Sequence, residues 1–457
     1  MRSISDLPRV TLPDDYQTAP GRFLASMYAA HGPIYRTTTL GGSDVVYLVG
    51  PEANRFVLST HRLHFSHREG WNRTEGAVDV LGEGLLFMDG DTHADHRRML
   101  NPAFTATHMD HYLPQMHEII DRVVAGWGRA GEIDIYEEAH RISFEIVATV
   151  VLGLPTTVDI ERLRALFLAL LRREIVPSGD QGHAIRSSIV DLLAPALREQ
   201  RHRAHHDALG TLASTRCDTG RAVSDDQVLA HVMNLLFAGH VTTASLCAWL
   251  FYLLSQHPAY VERVCDEQAV ALDRGALPTF EDTLKMELLS NALLETERLH
   301  PPIANLPRGV VTDVEFQGYR VPKGTLVFCS IAGSHMIPTV FAQPARFDPD
   351  RFASPRREHV RTPYALIGFS AGPRTCLGRT LATMEIKAIV THVLRRYRLE
   401  LSPDQQIAPI YAPISAPING ILMKVAPADR QATRRGSPSS PNQVASGPFD
   451  ASLRLPG

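Results

Sequence analysis

The run from Phe369 to Gly378, Phe-Ser-Ala-Gly-Pro-Arg-Thr-Cys-Leu-Gly, ends a loop and opens a helix. Leu381, Met384, Ile386, Ile389, Val390 and Val393 recur at helical spacing directly behind it, which puts Cys376 where a helix begins. Unpaired backbone N–H groups and the positive end of the helix dipole meet there, and both favour a thiolate over a thiol. Gly372 and Gly378 remove side chains on both sides of the sulfur, so a flat, bulky group can approach the backbone. Pro373 stiffens the loop. Arg374 sets a fixed positive charge just before the sulfur, suited to a carboxylate on such a group.

This segment resembles the haem-binding loop of the cytochrome P-450 family, Phe-x-x-Gly-x-Arg-x-Cys-x-Gly, with Phe369, Gly372, Arg374, Cys376 and Gly378 in register. A lone cysteine at a helix start would imply little; the matched set implies Cys376 as the thiolate ligand of the iron of a haem b. It further implies that Phe369, Arg374 and Gly378 contact the haem. The fold implied is mainly α with small β regions, a single large domain with haem buried between two central helices. That domain would span 21–426, after an N-terminal segment 1–20 and before a tail 427–457.

Other stretches fall into place behind that loop. His93 and Arg97 are four residues apart and share a helix face; the resemblance implies that they and Arg308 hold the haem propionates. Val228 to Leu254 is long and mostly apolar, yet carries Asn234, His240, Thr242, Thr243 and Ser245 in its middle. A buried central helix accounts for those groups better than a membrane span does. Ser224 with Gln227 spells a capping box at its start.

Small residues and hydroxyls at Ala238-Gly239-His240-Val241-Thr242-Thr243 are costly in a plain core helix and fit one that opens beside a ligand. In the family the matching stretch is the oxygen groove, Ala-Gly-x-acid-Thr-Thr. The resemblance implies that Gly239 leaves room for O2 and that Thr242 hydrogen-bonds it. The chain departs from the pattern at Val241, where the family usually has an acid. Two readings stay open: proton delivery by water, or an atypical haem-thiolate enzyme that is peroxide-driven, desaturating or coupling.

Glu295 and Arg298 share a helix face, and Arg351 follows before Cys376. Any charged helix has such a pair. The resemblance makes the three a buried ion-pair cluster that steadies the cysteine loop, for which bidentate Arg–carboxylate geometry is suited.

The remaining expectations concern context. With 46 basic and 49 acidic residues, nothing indicates a nucleic-acid surface. The five cysteines are scattered, with no disulfide or zinc spacing, which fits a reducing cytoplasm. Met1 to Pro20 lacks the apolar core of a signal peptide or anchor, so no stable membrane insertion is expected. The chain carries no flavin or iron–sulfur segment. The family then implies ferredoxin and ferredoxin reductase or similar donors, docking against Arg97, Arg98, Arg379 and Lys387. Leu235, Leu236, Ile303, Leu306 and Ile414 suggest a lipophilic substrate, a fatty acid, terpenoid or polyketide of secondary metabolism, and the resemblance implies that Leu166 to Ser187 contributes to the roof of its pocket. His202, His205 and His206 read as an exposed basic turn, not a metal site.

Of the secondary structure, 34–38 and 45–49 read as a hairpin around Gly41-Gly42, and 61–86 as a long loop with at most a short helix. Helical patterns run through 107–128, 140–153, 158–173 and 184–208. Short strands are expected at 310–314, 318–321 and 325–328, and a final β region over 399–425. From Ala428 onward the composition is too polar to fold.

Overall fold

Ser224 caps a 31-residue helix, Asp225–Ser255, that runs through the middle of the molecule. Its hydroxyl accepts Gln227 N–H at 3.3 Å, and Gln227 Oε1 accepts Ser224 N–H at 3.2 Å. This is the one described helix long and apolar enough to cross a membrane, and 67% of its apolar window is buried inside the fold. Two of its polar residues bond to neighbouring segments. Asn234 donates to Leu81 O and accepts Leu86 N–H, both at 3.1 Å, and Ser245 Oγ donates to Ser415 O at 2.6 Å. The computed structural model describes residues 2–428 except 39–41, 43, 76, 172–179, 201–206, 215–222, 273–275 and 412–413. The imidazole run at 202–206, part of the expected roof, and residues 429–457 therefore lie outside the described residues.

Helices pack around the long one. Ile135–Glu145 continues as a π-helical run, Ile146–Val151, whose Val147 meets the long helix at Gly239. The helix Ala106–Val124 and the helix Arg379–Leu394 close the same core, which is built from Leu113, Ile120, Phe144, Leu236, Trp249, Ile386 and Val390 among others. The helix Glu287–Leu299 leads into the sheet.

That sheet has six strands in the order Arg9–Val10, Ile34–Thr38, Asp44–Val49, Leu326–Ser330, Asn305–Val310, Phe65–Ser66. The hairpin pairs Ile34 with Leu48 and Thr38 with Asp44, antiparallel. A second sheet joins Tyr397–Leu401, Leu422–Pro427 and Glu132–Asp134, and Pro409–Tyr411 pairs with Ser415–Pro417.

The stretch 61–86 differs from expectation. It holds two helices, His67–Glu75 and Ala77–Leu81, where a loop was expected. Gly70, which reads as a breaker, is a contact: a Cβ there would come within 2.4 Å of the Pro307 backbone, so glycine is what lets this helix lie against a strand. The pattern over 107–128 likewise divides, into Ala106–Val124 and the short turn Trp127–Ala130.

Candidate active site

The cysteine loop is tied by its own backbone. Cys376 N–H donates to Phe369 O at 2.9 Å, Thr375 N–H to Gly372 O at 3.0 Å and Ser370 N–H to Ile367 O at 2.7 Å. Gly372 has φ +65°, and a Cβ on it would stand 2.4 Å from Leu58 O, so no other residue fits there. The helix behind the loop begins at Arg379 with Gly378 at its N-cap. Cys376 thus precedes the helix and does not sit in its first turn.

The sulfur is accessible at its own surface yet hemmed in by protein at longer range, so it faces a cleft, not open solvent. Burial pushes the Cys376 thiol up. The Gly378 N–H, Arg97 and Arg379 oppose that, and Glu297 adds to it. The expectation that a helix start alone would favour the thiolate is corrected here. Desolvation wins in the bare protein, and a coordinated cation is what would deprotonate the sulfur outright.

Around this cleft lies an excess of positive charge. Arg308 is buried, its guanidinium donates to Pro307 O at 2.8 Å, and burial pulls its pKa down to about 10. Arg374 is likewise drawn to about 10 by burial; it donates to Met88 O and, at 2.7 Å, to Asp89. Burial also lowers Arg97, which faces Cys376. His93 is buried, and burial with the nearby Arg374 and Arg97 holds it near 4, so it stays neutral. Asp89 is the one carboxylate that bears on Arg308, Arg374 and His93, and it already accepts from Ser66 Oγ and His67 N–H. Buried guanidinium groups without counter-charge are expensive. Two propionates of a haem would supply that charge, so the donor set fits the group.

The long helix is partly accessible in mid-span at Leu235, Phe237, Ala238, Gly239 and Thr242, of which Leu235, Ala238 and Thr242 share one strip. Thr242 Oγ1 donates to Ala238 O at 2.8 Å, and Thr243 Oγ1 to Gly239 O at 2.8 Å. A Cβ on Gly239 would come within 2.9 Å of Val147 Cγ2, so its missing side chain makes room for the π-helical run. Ala238, one turn before Thr242, is the most exposed residue of the strip. Val241 is buried on the packed side. His240 is buried too, bonded through Nδ1 to Leu236 O at 2.5 Å, among the rings of His140, Phe144 and Phe167. Burial holds it near 4.

Ile303 and Ile414 form a β-bridge, and Ser415 N–H donates to Pro302 O at 2.7 Å, so these two apolar candidates meet. Leu306 is buried in the sheet-side core, and Leu236 is fully buried in the helical core, away from the accessible strip.

Glu295 gathers both arginines in one buried knot. Arg298 Nε and Nη2 donate to it at 2.7 and 2.8 Å, and Arg351 Nε at 3.1 Å. Arg351 reaches on to Glu358 at 2.7 Å, and Arg356 bonds both Glu358 and Asp348. Of the cations expected to meet a redox partner, Lys387 is buried with Nζ on Thr283 O, so it is removed from that role. Arg98 is paired with Asp95, while Arg379 lies over the Phe369 ring. No cluster of metal-ligating side chains occurs among the described residues.

A sequence model of the cytochrome P-450 family matches residues 11–425 of the chain. A cyclooctat-9-en-7-ol 5-monooxygenase of Streptomyces melanosporofaciens is 31% identical, over 84% of this chain and 86% of that protein. A sterol 14alpha-demethylase of Mycolicibacterium vanbaalenii is 28% identical, over 79% and 83%. Among solved structures, a retinoic-acid-bound cyanobacterial CYP120A1 superposes with a TM-score of 0.81 at 27% identity, over 92% of this chain and 99% of that one.

Proposed function

The chain belongs to the cytochrome P-450 family and is a haem-dependent monooxygenase, and from that premise we propose that Cys376 is the thiolate ligand of a haem b and that the substrate is a lipophilic small molecule. When bound, the haem supplies the activation of O2 and the transfer of one oxygen atom. The chain supplies the rest. Arg97, Arg308, Arg374 and His93 hold the two propionates. Phe369 and Gly378 shape the proximal surface. The clamp of Glu295, Arg298 and Arg351 keeps the loop from shifting. Thr242, on the accessible strip, offers its hydroxyl to water that carries protons in.

The observation that carries this reading is the pair Arg308 and Arg374, desolvated and sharing the single carboxylate of Asp89, with half-buried Arg97 facing Cys376. Haem content tests it. Arg308→Leu with Arg374→Leu should purify folded but with much less haem per chain; full haem retention would remove the propionate assignment.

The substrate class rests on Leu235, Ile303 and Ile414, and on the names of the relatives, which speak of a sterol, retinoic acid and cyclooctat-9-en-7-ol. A fatty acid, terpenoid or polyketide of secondary metabolism remains the class proposed. Electrons come from ferredoxin and its reductase or a similar donor, and the protein works in the cytoplasm, where its buried thiols Cys247 and Cys329 stay reduced. The monooxygenase relatives also favour O2 over the peroxide-driven alternative. The burial of Val241 supports the same choice, because that side chain does not face the cleft. Product formed with reduced ferredoxin and O2, and little with peroxide alone, is the expected outcome.

A further inference from the structure

Side chains from outside the cysteine loop lie against three consecutive residues that lead into it, Ile367, Gly368 and Phe369. Ile367 N–H donates to His335 Nε2 at 2.9 Å. The carboxyl of Glu297 lies against the next two residues, Gly368 and Phe369, whose backbone N–H groups act to lower its pKa. A Cβ on Gly368 would come within 2.4 Å of Glu297 Cγ, so this glycine is what lets the carboxyl close on the amides. Phe369 O in turn accepts Cys376 N–H at 2.9 Å. A line of bonds therefore runs from Glu297 through Phe369 to the residue that carries the sulfur. Glu295 is two residues away and about 200° round the same helix, so the two glutamates face different partners. Glu295 holds the Asp348–Glu358 side, and Glu297 holds the loop itself.

We propose that Glu297 is a positioning residue for Cys376: it fixes the amides that lead into the loop and places a negative charge close enough to the sulfur to tune its donation to a bound iron. The proposal rests on the haem-thiolate reading. Glu297 is buried, and it helps to hold the Cys376 thiol up. The groups that face it are Arg379 from the helix behind the loop, Cys376 in the loop, and His335 from the short helix Ile331–His335. Burial holds His335 near 3, so it is neutral, and Arg298 on the same helix is committed to Glu295. Burial pushes the Glu297 carboxyl up to about 7, against Arg379 and the two amides. Its charge is accordingly present above neutral pH and fades below it.

Two readouts on the haem-loaded protein test the two halves. Amide hydrogen exchange reports the clasp. Glu297→Leu should speed exchange at Gly368 and Phe369 by about tenfold or more, with less effect at Ile367; unchanged exchange overturns the clasp. The reduction midpoint reports the charge, because a nearby negative charge opposes adding an electron. Glu297→Gln should have a more positive midpoint than the wild type at pH 8 and the same midpoint at pH 6. Equal midpoints at both pH values overturn the electrostatic half. Should Glu297→Leu fail to fold, Glu297→Gln serves both readouts, since it loses the charge and replaces one accepting oxygen with an NH2 that repels a backbone N–H. A wild-type holoprotein without a thiolate-type spectrum would sink the haem-thiolate reading alone, and the exchange result would still judge the clasp.

Discussion

Thr242 hands its hydroxyl proton to the carbonyl of Ala238, one turn back on the same helix and on the same accessible strip. That bond loosens the helix's own ladder at the point where the strip opens, and it keeps the hydroxyl oxygen free to accept from water. Thr242→Val keeps the shape and removes the hydroxyl. Product per reductant consumed should fall by about tenfold or more, with the difference recovered as peroxide. Unchanged coupling would mean that Thr242 takes no part in proton delivery.

Gly239 is expected to behave as a packing residue. Alanine is the better helix former by about 1 kcal/mol, so a loss of stability in Gly239→Ala must come from the contact with Val147. The loss should be about 1–3 kcal/mol, and the double mutant with Val147→Ala should cost less than the sum. Strict additivity in denaturant unfolding would return Gly239 to the role of making space for a ligand.

Arg351→Leu strands Glu295 beside Arg298 and leaves Glu358 with Arg356 alone. Breaking a buried pair by removing one partner costs roughly 3–5 kcal/mol. Unfolding should shift by that much, and haem should leak from the protein on gel filtration. A variant as stable as the parent would show the knot to be dispensable.

Glu385 gives a pH dependence of definite sign. It is buried, accepts a hydrogen bond from Ser143 Oγ at 2.5 Å, and burial pushes its carboxyl up from the usual 4.5 to about 8, so that it holds a proton at neutral pH. The folded state binds this proton more tightly than the unfolded one does. The stabilisation is full below the unfolded value and is lost as pH rises towards 8, by a few kcal/mol in all, ~1.4 per unit. Stability of the wild type should decline from pH 5 to 8 more steeply than that of Glu385→Gln. Parallel curves would rule Glu385 out as the source.

Much of this fold could be read from patterns of residue type. Ser224 and Gln227, the alternation at 34–49, and the register of Phe369, Gly372, Arg374 and Gly378 around Cys376 are local signals, and local physics writes them. What escaped depends on contacts between distant segments. The close contacts of Gly70 and Gly239 have no local signal, because only the tertiary structure puts Pro307 and Val147 against them. Lys387 reads as a surface cation, because the sequence does not tell which face of the helix Arg379–Leu394 is buried. Glu297 stands between two residues of a recognisable pair, and its partners lie some seventy residues on, in the backbone of Gly368 and Phe369. The sulfur itself shows the limit of helix-end reasoning: its burial outweighs the dipole.

The central claim is that Cys376 binds iron through sulfur. X-ray absorption at the iron edge of the purified, haem-loaded protein tests it most directly. The account predicts one sulfur among the atoms bound to iron, and its loss in Cys376→Ala. An iron bound only by nitrogen and oxygen in the wild type, or a sulfur signal that survives the substitution, would contradict it.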